Sequence, residues 1–482
     1  MSLRERIALW FRPAVYLGRN PLTLAGAVLT TSSAFTLIAF WLFDMAIGGT
    51  IHPYLGLIFY LILPGIFLIG LLLMPIGALW RHHKLIASGQ LLAKYPQVDF
   101  SMVEVRHVLG WVAVLTAANA VILSVASYRG VEYMDTVKFC GQTCHTVMQP
   151  EFTAYQNSPH QRVACVQCHI GAGASWFVRS KISGLRQVYA VTFHTYDRPI
   201  PTPVQQLRPS RETCEQCHWP QMFSGSKLVV IRKFSDDEKN TELTTVLLLK
   251  IGGHTTNGDV GIHGRHLDIT HPIQYIATDH QRQTIAQVSF TDDSGKQTLF
   301  TAADTKPTPE QLAAGEHRTM DCVDCHNRPT HTFQLPDEAL DNAMAQGRVS
   351  PDLPYIKKQA LAALQAKYPD RDTAARQIAA TLEDFYRQSY PDVYRSKHDL
   401  VESSIQQVQV VYLRNVFPAM NVTWGTYPNN LGHMDFPGCF RCHDGNHTSA
   451  DGRTIPNDCD TCHTTLAMEE SNPKVLADLG LK

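Results

Sequence analysis

The 482-residue sequence predicts a membrane-anchored, mainly α fold. Three transmembrane helices come first, followed by a polar domain that holds a small β insertion and a helical insertion. Three observations lead there. Stretches 21–43, 51–80 and 108–127 carry no charged side chain, and each meets the roughly 20 residues needed to cross a hydrocarbon core. All twelve cysteines lie beyond these stretches, in six close pairs each followed by histidine. Between the pairs, the apolar pattern changes from strand-like to helical spacing.

Residues 1–20 form a basic leader with Arg4, Arg6, Arg12 and Arg19. No cleavage pattern follows, so the first span is expected to remain as an anchor. Loop 81–107 holds Arg81, Lys84, Lys94 and Arg106, whereas 44–50 has no Lys or Arg. The positive-inside rule therefore places the N-terminus in the cytoplasm and the chain from about residue 128 outside.

The six clusters are Cys140 and Cys144 with His145; Cys165 and Cys168 with His169; Cys214 and Cys217 with His218; Cys322 and Cys325 with His326; Cys439 and Cys442 with His443; and Cys459 and Cys462 with His463. Five are C-x-x-C-H, the attachment signature of c-type haem. The two thiols bind the haem vinyl groups and the adjacent histidine is the proximal iron ligand. Zinc would pair such clusters at defined spacing, and these are irregularly spread. Disulfides give no reason for a histidine after every second cysteine. Six covalently bound haems are expected, a multihaem cytochrome c. The first cluster, CGQTCH, has three residues between its cysteines and requires a bulge in its loop. Covalent haem is attached outside the bacterial cytoplasmic membrane, in agreement with the charge pattern. His52 and His107 sit at span ends and no span has an interior histidine, which argues against a b-type haem within the bilayer.

Outside the membrane, haems 1–3 occupy 128–225 and haem 4 occupies 315–334. Strands LVVI (228–231), VLLLK (246–250), IQYIA (273–277), TIAQVSF (284–290) and KQTLF (296–300) mark a β insertion over 226–314, with DDSG as turn. A helical insertion over 335–425 follows from Ala375, Ile378, Leu382, Phe385 and from Val401, Ile405, Val408, Tyr412. A dihaem segment closes the chain over 426–482. The balance of 42 basic against 43 acidic residues gives no sign of a nucleic-acid partner.

Haem clusters directly after a membrane anchor resemble the NapC/NirT family of membrane-anchored multihaem quinol dehydrogenases, over about 128–225 and again near 315–334. Three spans and six haems resemble more the larger inner-membrane cytochromes of metal-respiring bacteria than the family's usual four-haem, single-anchor form. The resemblance implies that His331 caps the third iron and His160 the fourth. It offers Met148 for the first iron, although the family has its methionine one residue nearer the histidine. For the second haem it offers Lys181, as ligand or as quinol-site residue, with His194 ranked behind it. For haems 5 and 6 the histidines are too many for a family rule. His447 and His263 are chosen, with His433 and His266 also plausible.

Segment 175–196, SWFVRSKISGLRQVYAVTFHTY, reads as a helix at the bilayer surface or as a cover for haems. Lys181 and Glu151 are the candidate proton acceptors for a quinol. The expected activity is menaquinol oxidation, feeding periplasmic cytochromes or reductases from the quinone pool. The alternatives are quinone reduction by the reverse route, a relay subunit docked to other membrane subunits, and a terminal reductase with an open iron.

Overall fold

The computed structural model describes residues 16–18, 20–47, 58–90, 103–143, 145–170, 174–204, 207, 209–219, 223–253, 260–292 and 294–481. Arg4, Arg6, Arg12, Arg19, Lys94, Cys144 and His254 lie outside the described residues, as does the side chain of His145. The chain divides into two units, 1–144 and 145–482.

The first unit holds α1 (Pro21–Ile47), a π turn at Ile58–Ile62 leading into α2 (Leu63–Ala87), and α3 (Val103–Met134). The stretches long and apolar enough to span are Pro21–Phe43, Ile58–Ala87 and Ala113–Met134. The second and third helices outrun their uncharged segments. α2 continues through Arg81 and Lys84, and α3 through an Arg129–Glu132 pair at 2.9 Å. Long charged side chains at a helix end can reach water while the backbone stays helical. Outward-facing Leu24, Phe35, Leu42, Leu72 and Trp111 are exposed, which suits lipid. Leu37, Phe67 and Ile122 pack inward. Small residues let α1 and α2 approach closely: a Cβ on Gly26 would lie 2.7 Å from the Gly70 carbonyl oxygen. Thr23 Oγ1 donates across to Met74 O at 3.1 Å. Close backbones and interhelical hydrogen bonds are how membrane helices associate.

The second unit begins with α4 (His145–Gln156) and α5 (Ala174–Thr192). Its strands are β1 (Lys227–Phe234), β2 (Glu242–Leu249), β3 (Gln274–Ala277), β4 (Ile285–Thr291), β5 (Gln297–Ala302), β6 (Glu316–Thr319), β7 (His447–Ser449) and β8 (His463–Glu470). They form two antiparallel sheets, ordered β1-β2-β8 and β6-β3-β4-β5-β7. The expected strands are all present, but the insertion is not closed over 226–314. β6 comes from the haem 4 segment, and β7 and β8 directly follow the last two clusters. The C-terminal segment is therefore stitched into both sheets.

The helical insertion comprises α6 (Pro336–Ala345), α7 (Ile356–Gln365), α8 (Arg371–Ser389), α9 (Pro391–Ser396) and α10 (His398–Asn415). Asp370 caps α8, accepting from Thr373 N at 2.7 Å. Ala374, Ile378, Leu382 and Tyr386 face the core of α8. The buried stripe is thus turned one residue from Ala375 and Phe385, which are only partly covered.

Candidate haem centres

Each C-x-x-C-H folds as a single tight turn, because two thiols and a histidine must meet one macrocycle. The histidine N–H closes the turn on the carbonyl of the first cysteine: His218 to Cys214 at 2.8 Å, His326 to Cys322 at 2.8 Å and His443 to Cys439 at 3.0 Å. The second cysteine can tighten the same turn, as where Cys217 N donates to Cys214 O at 3.1 Å. In the second cluster the whole motif is one helical turn, Cys165–His169. Its Cys165 and Cys168 are half-buried, whereas Cys217, Cys439 and Cys459 are exposed. In CGQTCH the extra residue is absorbed by a π turn over Phe139–Thr143, the usual way for a helix to take one added residue.

Five of the proximal histidines face a second histidine from elsewhere in the chain. Ring centroids are 6.2 Å apart for His169–His331, 6.0 Å for His218–His160, 6.3 Å for His326–His263, 5.9 Å for His443–His266 and 6.3 Å for His463–His433. A ring nitrogen lies about 2 Å from a first-row metal it ligates and its ring centroid roughly 1 Å further, so two imidazoles on opposite faces of one iron have centroids about 6 Å apart. The donor set therefore fits haem iron at five positions.

The second ring nitrogens support the same fit. Nδ1 lies 3.2 Å from Pro329 O in His160, 2.6 Å from Ile251 O in His263, 2.8 Å from Ile262 O in His266 and 3.0 Å from Glu151 O in His331. A carbonyl that takes the Nδ1 proton orients the ring and leaves Nε2 for a metal. Burial holds His266 and His331 below the usual imidazole range.

The structure places several candidates otherwise than expected. His160 stands against His218 and not His326. His331 stands against His169 and not His218. Both follow from the way the loops cross, since residues near one cluster reach the face of another. The second turn thus faces His331 where Lys181 or His194 was expected, and the third faces His160 where His331 was expected. His263 belongs with the fourth cluster, outside the fifth and sixth. His447 is buried with both ring nitrogens engaged, Nδ1 at 3.0 Å from Asp444 Oδ1 and Nε2 at 2.9 Å from Ile285 O; no nitrogen is left for iron. Nor does Glu151 offer an open base: Arg328 Nη2 lies 3.1 Å from both its oxygens, and His331 Nδ1 lies 3.2 Å from Oε2. It supports the His331 ring. Lys181 is half-buried on α5, His194 is exposed beyond the end of that helix, and Met148 is half-buried on α4. The pairs of His266 and His433 escaped the sequence because no local spacing links them to their clusters; the doubled histidine in GIHGRH was the available signal.

The third to sixth clusters also adjoin one another in order. The thiol of Cys214 meets that of Cys322, Cys325 lies beside Cys439 and Cys442, and Cys462 beside Cys439. Residues inside the motifs join the fourth and fifth turns: Arg441 Nη2 donates to Asp324 O at 2.7 Å. The buried Asp324 carboxylate accepts from Tyr275 Oη at 2.7 Å and Arg318 Nε at 3.0 Å. That proximity and burial push the Tyr275 hydroxyl well above the usual phenol range.

Three spans followed by haem-attachment turns with trans-facing histidines define a membrane-anchored c-type cytochrome. The N-terminal region of the NapC/NirT cytochrome c family matches residues 102–201. The chain is 40% identical over 455 residues to cytochrome c-type protein ImcH of Geobacter sulfurreducens, covering 94% of this chain and 89% of that one. It is 27% identical over 105 residues to cytochrome c-type protein NrfH of Wolinella succinogenes, covering 21% and 59%. No solved structure gives a significant match. The chain belongs to the NapC/NirT cytochrome c family and carries covalently bound haem c.

Proposed function

We propose that the protein is a hexahaem menaquinol dehydrogenase whose haem domain lies in the periplasm and passes electrons singly toward periplasmic cytochromes or reductases. The observation that carries the reading is the set of five facing histidine pairs, four of them on adjoining clusters. When attached, haem c supplies one-electron exchange at iron; two imidazoles on one iron close it to small substrates and suit it to transfer. This weighs against a terminal reductase.

α5 is the element suited to the quinone pool. Val178, Ile182, Leu185 and Tyr189 recur at helical spacing and all are exposed. A soluble surface rarely leaves such a stripe uncovered, and a bilayer interface covers it. Arg179, Lys181 and Arg186 interrupt the stripe with positive charge, as expected next to lipid head groups. Lys181, on this helix, is the residue proposed to hold a quinol oxygen, while Glu151 supports the His331 ring.

The test is anaerobic reduction of the oxidised protein by a menaquinol analogue, followed at the haem α-band. Reduction should be fast in wild type and at least tenfold slower in Lys181→Ala, with dithionite still reducing every haem. Wild-type protein that quinol leaves oxidised would overturn quinol oxidation. An unaffected Lys181→Ala would move the quinol site off this residue.

A further inference from the structure

We propose that the short helix Ile262–His266 of the β insertion ligates two successive irons, His263 the fourth opposite His326 and His266 the fifth opposite His443, and that His433 ligates the sixth opposite His463. This rests on the six-haem reading above, and lies wholly outside the region matched by the family, 102–201.

The helix is built as a rigid bracket. Its first turn docks on the strand end that precedes it: Ile262 N donates to Lys250 O at 2.8 Å and His263 N to Ile251 O at 3.2 Å. Lys250 N in turn donates to Cys462 O at 2.9 Å, so the same backbone holds the sixth attachment turn. Both glycines of GIHGRH are required by this docking. A Cβ on Gly261 would collide with the Gly252 carbonyl, and one on Gly264 with the Gly253 carbonyl. His263 and His266 are three residues apart, so they project from neighbouring positions on one turn. Each ring is fixed by its Nδ1 bond to a carbonyl, to Ile251 O and Ile262 O respectively.

The proximal partners are tied to each other independently, through Arg441 and the Asp324 carbonyl. The fourth and fifth irons are thereby held from both faces: the two attachment turns on one side, the His263–His266 turn on the other. His433 stacks on Phe440 at 4.2 Å, within the fifth attachment turn, while it faces His463. The sixth iron is joined to the fifth in the same manner. The ring planes differ, 10° between His263 and His326, 56° between His266 and His443, and 21° between His433 and His463. Low-spin ferric signals depend on that angle, which separates the fifth site from the other two.

The experiment uses the full-length protein in detergent, with intact mass to count covalent haems and electron paramagnetic resonance to count spin states. His263→Ala, His266→Ala and His433→Ala should each keep the wild-type haem mass and convert one haem equivalent from low spin to high spin. The His263→Ala/His266→Ala double variant should convert two. Added imidazole should return each to low spin, a rescue that a merely structural histidine would not show. An unchanged low-spin count in any single variant, or one equivalent converted in the double, overturns the assignment. If the variants fail to assemble, the near-infrared magnetic circular dichroism of wild type decides, since its charge-transfer band counts bis-histidine haems. At least three supports the proposal and fewer overturns it. A wild-type mass short of six haems would instead refute the six-haem reading, and is seen before any variant is made.

Discussion

The helical insertion over 336–415 fully buries Leu340, Ile356, Leu364, Ile378, Leu382 and Tyr386 against one another, whereas the described residues of 147–219 bury little apolar surface beyond Val147, Ala154 and Tyr155. Both belong to the same folded unit. One region is held by its own side chains. The other combines α4 and α5 with one-turn helices and loops, and its few buried apolar contacts cannot by themselves offset the entropy of ordering the chain. Covalent haem c is a large apolar group, and attached at these turns it would supply apolar surface that the second region lacks. The difference teaches that assembly and electron transfer depend on the same groups in one part of the molecule and are independent in the other.

The sharpest way to break that comparison is to remove one attachment. Cys322→Ser/Cys325→Ser deletes the fourth haem, midway along the series. Intact mass should fall by one haem, and menaquinol should leave the haems beyond the gap oxidised over the time in which wild type is fully reduced. Limited proteolysis should then cut around the fourth and fifth turns while sparing a fragment covering 336–415. Protease resistance unchanged throughout would show that the haem regions do not need their haem to fold.

The same contrast explains what could be read in the sequence. The helical insertion follows the 3.6-residue period because its partners are its own neighbouring helices, and only the one-residue turn of α8 toward Tyr386 escaped. The strands from 228 to 300 show as short apolar, β-branched runs set off by turn residues such as DDSG. The cysteine clusters are legible since attachment chemistry fixes their local spacing. Distal histidines obey no such rule. His331 comes from one attachment segment and reaches the face of another, and the side-chain period says nothing about such crossings. The closure of both sheets by β7 and β8 is hidden for the same reason, as long-range pairing leaves no local mark.

A smaller effect tests the self-supporting region. Lys357, 2% exposed, binds Asp341 and Asp337, and Asp341 Oδ1 also accepts from Phe234 N at 3.1 Å. Asp341→Ala leaves a buried ammonium with the exposed Asp337 carboxylate and the Asp337 carbonyl at 3.3 Å, and should destabilise the insertion by about 3–5 kcal/mol. Far-UV circular dichroism should show the lower melting transition, while the haem α-band and the quinol reduction rate at low temperature stay as in wild type. Loss of haem signals together with the helical transition would show that the two regions melt as one. Asp341→Leu/Lys357→Met, which removes both charges, should recover most of the loss.

The smallest effect falls on the seam between the two kinds of region. His447 leads β7 directly after the fifth cluster and ties that strand to Ile285 of β4 and to Asp444. His447→Ala leaves the Ile285 carbonyl and the Asp444 carboxylate short of a partner, at about 1–3 kcal/mol. Since both its nitrogens are already engaged, no iron should change: haem mass, spin state and midpoint potentials should match wild type while the melting temperature falls. His266→Ala should do the opposite at the neighbouring iron, converting its spin state. A high-spin signal in His447→Ala would mean that this residue is a ligand, and would place the fifth iron on the β7 side of its attachment turn. Equal spectra with a lower melting temperature would show that a histidine four residues from a haem motif can serve the sheet alone.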